Sequence, residues 1–559
     1  MYDVKTSLES AIQELFAVNI DAELNRPDLQ FGDWSTNVAM QLAKIIGKNP
    51  HEIAQTIAEY MNQKSFSWLD RVEVAGPGFI NIILKDDLFI NMVNQINLQK
   101  ELYGQLDIFK GQTIIVEYLD PNPFKEIHIG HAYTGTVGDA VASLFETAGG
   151  QVHRVTYQGD VGLHVAKAIY GILRRINNDV AGIDDIAVAD RPIFLGKTYA
   201  EGANAYENDE QAKSEIIILN KKIYDQSDPL VNKIHEIGKS LSMDYFDDVY
   251  AKFEFTPFEK NYMERMVAEE GLKIVKENIS DGIFKESDGA VIFEGEQYGL
   301  HTRVFINSQG LPTYESKDLG NAMLKWKDYA YDKSIIITGQ EQAEYFKVML
   351  KALEQFAKVQ SERTTHIPHG MVKLNTGKMS SRSGQVVRAL DLLETAEEAA
   401  RSLAKSDNEP VRDITLAAIK YAFLKNRIGG DIVYDVDESL SLEGNSGPYL
   451  QYAHVRAHSI IEKANTKITE IKDLDAQERI LADKLDEFPE IILSATTQLY
   501  PHIVCTYLFE LAQSFNRFYE HNRIIGDARQ AQRLALVNAY KTVLKNGLSI
   551  LKIPVPNHM

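Results

Sequence analysis

Residues 113–158 read TIIVEYLDPNPFKEIHIGHAYTGTVGDAVASLFETAGGQVHRVTYQ, and the order of patterns in this stretch decides the fold. TIIVEYL is a short apolar run of the buried-strand kind. After a polar loop, positions 137, 140, 141, 144, 145 and 148 repeat apolar residues at helical spacing until Gly149 and Gly150 stop them. VHRVTYQ resumes the texture of a strand. Strand, loop, helix, strand is a βαβ unit, which implies a parallel sheet with a ligand at the carboxyl ends of its strands. A second unit starts at SIIITGQ (334–340) and enters AEYFKVMLKAL (343–353). Between them lies an acidic, largely helical insertion, about residues 177–270, followed by the strand-like GAVIFEG and HTRVFIN. The insertion is expected at the periphery of the nucleotide fold.

Outward from this centre, a chain of 559 residues is too long for one core. Residues 1–88 combine the amphipathic SLESAIQELF and VAMQLAKIIG with the strand-like RVEVAGPGFINIIL, a small α+β domain. Residues 89–111 read as a helical connector, 112–395 as the Rossmann-like α/β domain with its parallel sheet, and 396–559 as an all-α bundle. No run approaches the ~20 apolar residues of a membrane span. The N-terminus lacks the basic start and apolar core of a secretory signal, so a cytoplasmic protein is expected. The single cysteine, Cys505, leaves no internal disulfide and no cysteine-rich zinc module, and its apolar surroundings, HIVCTYLFEL, suit a buried side chain.

A net charge of -20 disfavours non-specific coating of nucleic acid, but the charge is uneven. From His366 to Leu390 there are four basic residues, Lys373, Lys378, Arg382 and Arg388, and no acidic one; from Pro501 onward seven Lys/Arg face three Asp/Glu. Local basic patches on an acidic body suit selective docking of a polyanion, although solvated helix faces produce similar counts.

His128 and His131 stand three residues apart at the expected helix start, with Gly130 between them and Lys125 upstream. A metal site is one reading, but no cysteine is near and a closed zinc site needs four ligands. A triphosphate is the other. A helix N-terminus offers unpaired backbone N–H groups and the positive end of its dipole. Two imidazoles add directional donors that strengthen as charge builds on a phosphoryl group, Gly130 leaves room for a nucleotide, and Lys125 adds a mobile cation. Neither GxGxxG nor GxxxxGK[ST] is present, so the solution is neither the dinucleotide nor the Walker one.

These residues carry a resemblance. HIGH (128–131) matches the first signature of class I aminoacyl-tRNA synthetases, and GKMSSRSG (377–384) is similar to their second, KMSKS. VEYLDPNPFKEIHIGH, YQGDVGLH, ESDGAVIF, PTYESKDLG and GNSGPYLQYAHVRAHSI resemble segments of the arginyl-tRNA synthetase family. FGDWSTNVAMQLAK and VAGPGFINIIL resemble that family's additional N-terminal domain, which contacts the tRNA elbow, and PHIVCTYLFELAQSFNRFYEHNRIIG resembles its anticodon-binding bundle. The resemblance implies ATP as substrate with Mg2+, no protein-ligated zinc, L-arginine and an arginine-accepting tRNA as partners, and a monomer.

Carried over by position, the resemblance implies that His128, His131, Lys125 and Lys378 are catalytic, with Gly130, Met379, Ser380 and Arg382 completing the ATP site. It implies Glu117 and Asp318 for the guanidinium, Tyr314 for the substrate chain, and Asn122 with Gln342 for the α-amino end; GQEQAEYF also aligns through Gln340. Asp160 and His164 belong to the GDVGLH segment, and Arg517, Tyr519 and Arg523 to the tRNA-reading face. A guanidinium is planar and permanently cationic, so carboxylates suit its pocket. Some positions depart from the family pattern. The second lysine of KMSKS is absent, a role Lys125 takes in this family; Asp120 replaces a serine; Val161 and His164 replace Trp and Gln; Tyr345 replaces a frequent histidine. Two rival readings are a class I synthetase for lysine and an inactive synthetase-like RNA-binding protein.

Overall fold

A computed structural model describes residues 4–64, 66–176, 180, 183, 186, 190–375, 387–404, 406 and 408–559. The chain forms two compact units: residues 1–103, 456–489 and 509–546 make one, and 104–455, 490–508 and 547–559 the other.

In the first unit, Trp34–Thr36 (β1), Leu69–Ala75 (β2) and Phe79–Leu84 (β3) form an antiparallel sheet in the order β1-β3-β2. The β2–β3 hairpin turns through Gly76 and Gly78, whose φ angles of +53° and +132° suit glycine. The helix Asp86–Gln99, read from sequence as a connector, belongs to this unit. So does the helix Ala476–Asp486, whose Arg479 bonds Asp33 at 2.6 Å and Asp86 at 3.0 Å and lies 3.3 Å from the centroid of Phe89. Phe515 stacks on Tyr540 at 3.9 Å, and Phe515 and Phe518 are buried.

In the second unit, Thr113–Glu117 (β4), Gln151–Gln158 (β5) and Lys260–Met263 (β6) are followed by a small antiparallel sheet of Lys285–Ser287 (β7), Ala290–Phe293 (β8) and Arg303–Ile306 (β9). Lys333–Gly339 (β10) and Thr364–His369 (β11) then return to the main sheet. Its order is β11-β10-β4-β5-β6, every pairing parallel. The chain therefore winds one way from β4 through β5 to β6, and the other way through β10 to β11. The strand order reverses between β4 and β10, where their carboxyl ends leave a crevice. β6 lies inside the segment expected as a peripheral insertion. Four residues of mixed polarity carry too little pattern to be read as a strand, and pairing with β5 is what makes them one.

The helix Ile129–Thr147 is buried along its length rather than on one stripe. A methyl at Gly138 would lie 2.1 Å from the Tyr118 ring, and one at Gly135 2.7 Å from Phe255, so both glycines permit close packing. Cys505 is buried, and burial pushes its thiol pKa up, away from nucleophilic use. Among the described residues no helix is long and apolar enough to cross a membrane.

Candidate active site

At the crevice a cavity of about 1090 Å³ is lined by Asp120 and Asn122 after β4, by His128, Gly130 and His131 at the helix start, by Gly339 at the end of β10 with Glu341 and Gln342 after it, and by His369 to Leu374. Three residues on the approach, Leu119, Asp120 and Phe124, have φ of +78°, +46° and +68°. Non-glycine residues in this region store strain of order 1–3 kcal/mol each, which the surrounding structure must impose.

The two imidazoles cap the helix and each other. His128 Nδ1 accepts from the His131 backbone N–H at 3.3 Å, and His131 Nδ1 accepts from the His128 N–H at 3.2 Å. Their rings stack 3.7 Å apart. With both Nδ1 atoms accepting, each ring carries its proton on Nε2. Burial, with the Lys125 charge adding to it, holds the His128 pKa down at about 4, and burial and His128 hold that of His131 well below its ordinary value. The pair is thus a set of neutral donors, not a set of cations. Gly130 serves this arrangement directly, since a methyl there would lie 3.0 Å from the His128 ring.

Lys125 does not line the cavity; its ammonium lies 4.7 Å from the centroid of Tyr199, on the helix Arg191–Asn208. Lys378, Met379, Ser380 and Arg382 lie outside the described residues. The described residue beyond them is tied to the histidine helix: Ile129 N–H donates to Val387 O at 2.9 Å, and Ala389 N–H to Ile127 O at 2.9 Å.

Behind the cavity is a buried charge cluster. Glu117 Oε2 takes Lys325 at 2.8 Å and Asn321 at 2.9 Å. Glu264 Oε1 takes Lys317 at 2.5 Å, while its Oε2 is buried with no hydrogen-bond partner of normal geometry among the described residues. Asp318 accepts from the Tyr345 hydroxyl. Asp120 accepts from Tyr157 N–H at 2.7 Å and Thr156 Oγ1 at 3.2 Å. Among these described residues, three carboxylates behind the wall (Glu117, Glu264, Asp318) and Asp120 in the lining face two lysines (Lys317, Lys325), an excess of two acids. Burial and the neighbouring Glu117 push Asp318 up to about 7, and the same two causes raise Asp120 well above the carboxylate range.

The expected arginine residues divide accordingly. Asn122 and Gln342 line the cavity and Gln340 does not, which favours Gln342. Tyr314 is exposed at the start of the helix Tyr314–Tyr329, one turn before Asp318. Glu117 and Asp318 are buried behind the wall, with Glu117 already matched to a lysine. Glu264 went unrecognised in the sequence. A methyl on Gly159 would lie 2.3 Å from Asn122 Oδ1 and 3.1 Å from Glu264 Oε2, so the two converge. Asp160 and His164 do not line the cavity. Asp160 Oδ1 accepts the Arg265 N–H at 3.0 Å, and His164 Nε2 bonds Gly159 O at 2.7 Å; both hold the loop after β5. In the other unit, Arg517 and Arg523 are exposed and Tyr519 is half-buried, with the Arg456 guanidinium 4.3 Å from its ring centroid.

A five-stranded parallel sheet with an imidazole-capped helix at its reversal point is the architecture of class I aminoacyl-tRNA synthetases, and the model of the family described as tRNA synthetases class I (R), catalytic domain, matches residues 92–435. The Arginyl tRNA synthetase N terminal domain matches residues 3–84 and the DALR anticodon binding domain residues 450–559. The chain is 30% identical over 581 residues to the arginine–tRNA ligase of Clostridium botulinum (strain Alaska E43 / Type E3), covering 100% of each. It is 30% identical over 582 residues to that of Lactococcus lactis subsp. cremoris (strain MG1363), covering 100% of this chain and 99% of the relative. The solved Thermus thermophilus arginyl-tRNA synthetase shares its fold with a TM-score of 0.82 at 23% identity, over 100% of this chain and 99% of that one. The Plasmodium falciparum arginyl-tRNA synthetase does so with a TM-score of 0.81 at 20% identity, over 100% and 98%. The chain belongs to the arginyl-tRNA synthetase family.

Proposed function

We propose that the cavity at the sheet reversal joins L-arginine to ATP and passes the arginyl group to the terminal adenosine of an arginine-accepting tRNA. One observation carries the choice of amino acid: an excess of two buried acids, Asp120 in the cavity lining and Asp318 behind it. Such an excess is costly until a cation enters, and a guanidinium is permanently cationic with donors for several oxygens at once. Asp318 and Glu264 Oε2 would take the guanidinium, Glu117 would hold the pocket's charge through Lys325, Tyr314 would cover the substrate chain, and Asn122 and Gln342 would hold the α-amino end.

In the first step an arginine carboxylate oxygen bonds to the α-phosphorus of ATP as the bond to pyrophosphate breaks. The nucleophile is already charged, so positioning and charge stabilisation supply the catalysis. The Nε2–H groups of His128 and His131 would donate to the reacting phosphoryl oxygens. Lys125 would leave Tyr199, a contact worth about 1 kcal/mol, to neutralise the departing pyrophosphate together with Lys378. Met379, Ser380 and Arg382 would complete the phosphate contacts. In the second step a ribose hydroxyl of the tRNA attacks the acyl carbon and AMP leaves. Mg2+ would arrive on the ATP phosphates as part of that substrate, and no step is assigned to it. Arg517, Tyr519 and Arg523 would meet unpaired tRNA bases by stacking and charge. The chain would act as a cytoplasmic monomer.

The test is aminoacylation and pyrophosphate release with each standard amino acid, with and without tRNA. Arginine alone should turn over, and only with tRNA present. Equal turnover with lysine would transfer the pocket to the smaller cation, and turnover with none would leave an RNA-binding protein.

A further inference from the structure

His369, at the end of β11, is buried in the cavity wall under the histidine helix, and no role has yet been given to it. Three short polar contacts run in series through it. His369 Nδ1 lies 2.8 Å from Gly370 O, His369 Nε2 lies 2.7 Å from Thr134 Oγ1, and Thr134 Oγ1 lies 2.9 Å from Gly130 O. Both ends of the chain are carbonyl oxygens, which only accept. Each of the three gaps therefore needs its own hydrogen from between them. A neutral imidazole and a threonine hydroxyl hold two. An imidazolium and the hydroxyl hold three: Nδ1–H to Gly370, Nε2–H to Thr134, and O–H to Gly130. The neutral ring leaves one short contact between two lone pairs.

We propose that His369 takes up a proton when a triphosphate fills the cavity, completing the Gly370–His369–Thr134–Gly130 chain and so locking the start of the helix that presents His128 and His131. This rests on the reading of the cavity as the ATP site. Without a ligand, burial opposes the charged ring and lowers its pKa. The groups facing it are set against charging on balance. Tyr133 meets it edge-on from the helix at 5.1 Å, His128 and His131 stand neutral at the helix cap, and His366 on its own strand is held down at about 4; Glu341, after β10, favours the charge. Lys373, which also lines the cavity, is paired with Asp431 at 2.7 Å. The phosphates of ATP bring a far larger negative charge into the same space, which favours the imidazolium. His369 is thus a positioning residue, acting on the phosphate donors through Thr134 and Gly130.

The experiment is calorimetric titration of the full chain with Mg-ATP at pH 7 in buffers of different ionisation enthalpy, which counts protons bound per ATP. The wild type should take up about one proton, and its ATP affinity should weaken up to tenfold per pH unit above 7. His369→Gln, which keeps donor and acceptor but cannot charge, should bind ATP with no uptake and a flat pH profile. Thr134→Val should reduce the uptake by removing the acceptor of Nε2–H. Nitrogen-15 imidazole shifts of the wild type report the same event without a variant, moving to the doubly protonated pattern when ATP is added. Binding without proton uptake, or equal uptake in His369→Gln, overturns the proposal while leaving the ATP site standing. Absence of ATP binding by the wild type overturns both.

Discussion

The two halves of the proposed active site would solve opposite problems with opposite means. At its helix cap the proposed triphosphate half presents neutral groups: His128 and His131 lend each other a lone pair, and burial keeps both uncharged. The proposed arginine half holds acidic groups in excess, with two lysines outnumbered by four acids. The difference follows from what each ligand brings. ATP arrives heavily charged and must release its pyrophosphate, so fixed donors that strengthen only as charge develops serve better than permanent cations. Arginine carries one charge that never titrates, so a carboxylate surplus selects it from neutral amino acids before any shape is read.

The largest effect tests the neutral half. His131→Ala removes one phosphoryl donor and one helix cap, and should lower the rate of adenylate formation by about 10²–10³ with the arginine KM almost unchanged. Pre-steady-state pyrophosphate release separates the two, and an equal rise in arginine KM would merge the halves. The charged half should respond in reverse: Asp318→Asn should raise the arginine KM by about 30- to 100-fold, roughly 2–3 kcal/mol, and that for ATP less than twofold. Glu264→Gln should approach Asp318→Asn in size and exceed Glu117→Gln in its effect on arginine selectivity, because the Glu117 charge is already committed to Lys325. The opposite ranking would return the guanidinium to Glu117.

The contrast extends to pH. Asp318 must be ionised to receive a guanidinium, and its pKa stands at about 7 in the free protein. Below that value arginine must displace a proton, so its KM should rise by up to about tenfold per unit between pH 7 and 5.5, and level off above 8. The His128 pKa of about 4 leaves the rate of the chemical step flat with respect to that ring over the same range. A rate that fell as pH rose through 6.5 would mean that the imidazoles act as cations.

The halves also differ in how far they could be read from the sequence. His128, Gly130 and His131 sit within four residues after a buried-strand run, and a helix terminus is a local object, so spacing alone placed the pair at a helix start. The proposed arginine pocket draws Glu117 from β4, Glu264 from the helix after β6, and Asp318 with Lys317 and Lys325 from a third segment. Glu264 opens ERMVAEEGLKIVKE, indistinguishable in sequence from any surface helix start with an acid in its first turn. Only the pairing of β6 with β5 carries it inward. Lys325 was invisible for the same reason: nothing in NAMLKWKDY says that its lysine is buried against Glu117. The βαβ units were legible because periodicity is local; the unit joining residues 1–103 to 456–489 and 509–546 was not, because contacts such as Arg479 with Asp33 span hundreds of residues.

The smallest effect is thermal, and its sign follows from the same surplus. The pKa of Asp318 in the folded protein, about 7, lies above the ~3.9 of an unfolded aspartate. Its proton therefore stabilises the fold fully below pH 3.9, and that contribution is lost as pH rises through 7. Arginine replaces the proton with a guanidinium. The stabilisation of the second unit by saturating arginine should accordingly be greater at pH 8 than at pH 6, by about 2 °C in a thermal melt. In Asp318→Asn the arginine shift should become small and independent of pH. A shift in the wild type that was larger at pH 6 would mean that the surplus is neutralised by some other group, and the charged half of the comparison would lose its basis.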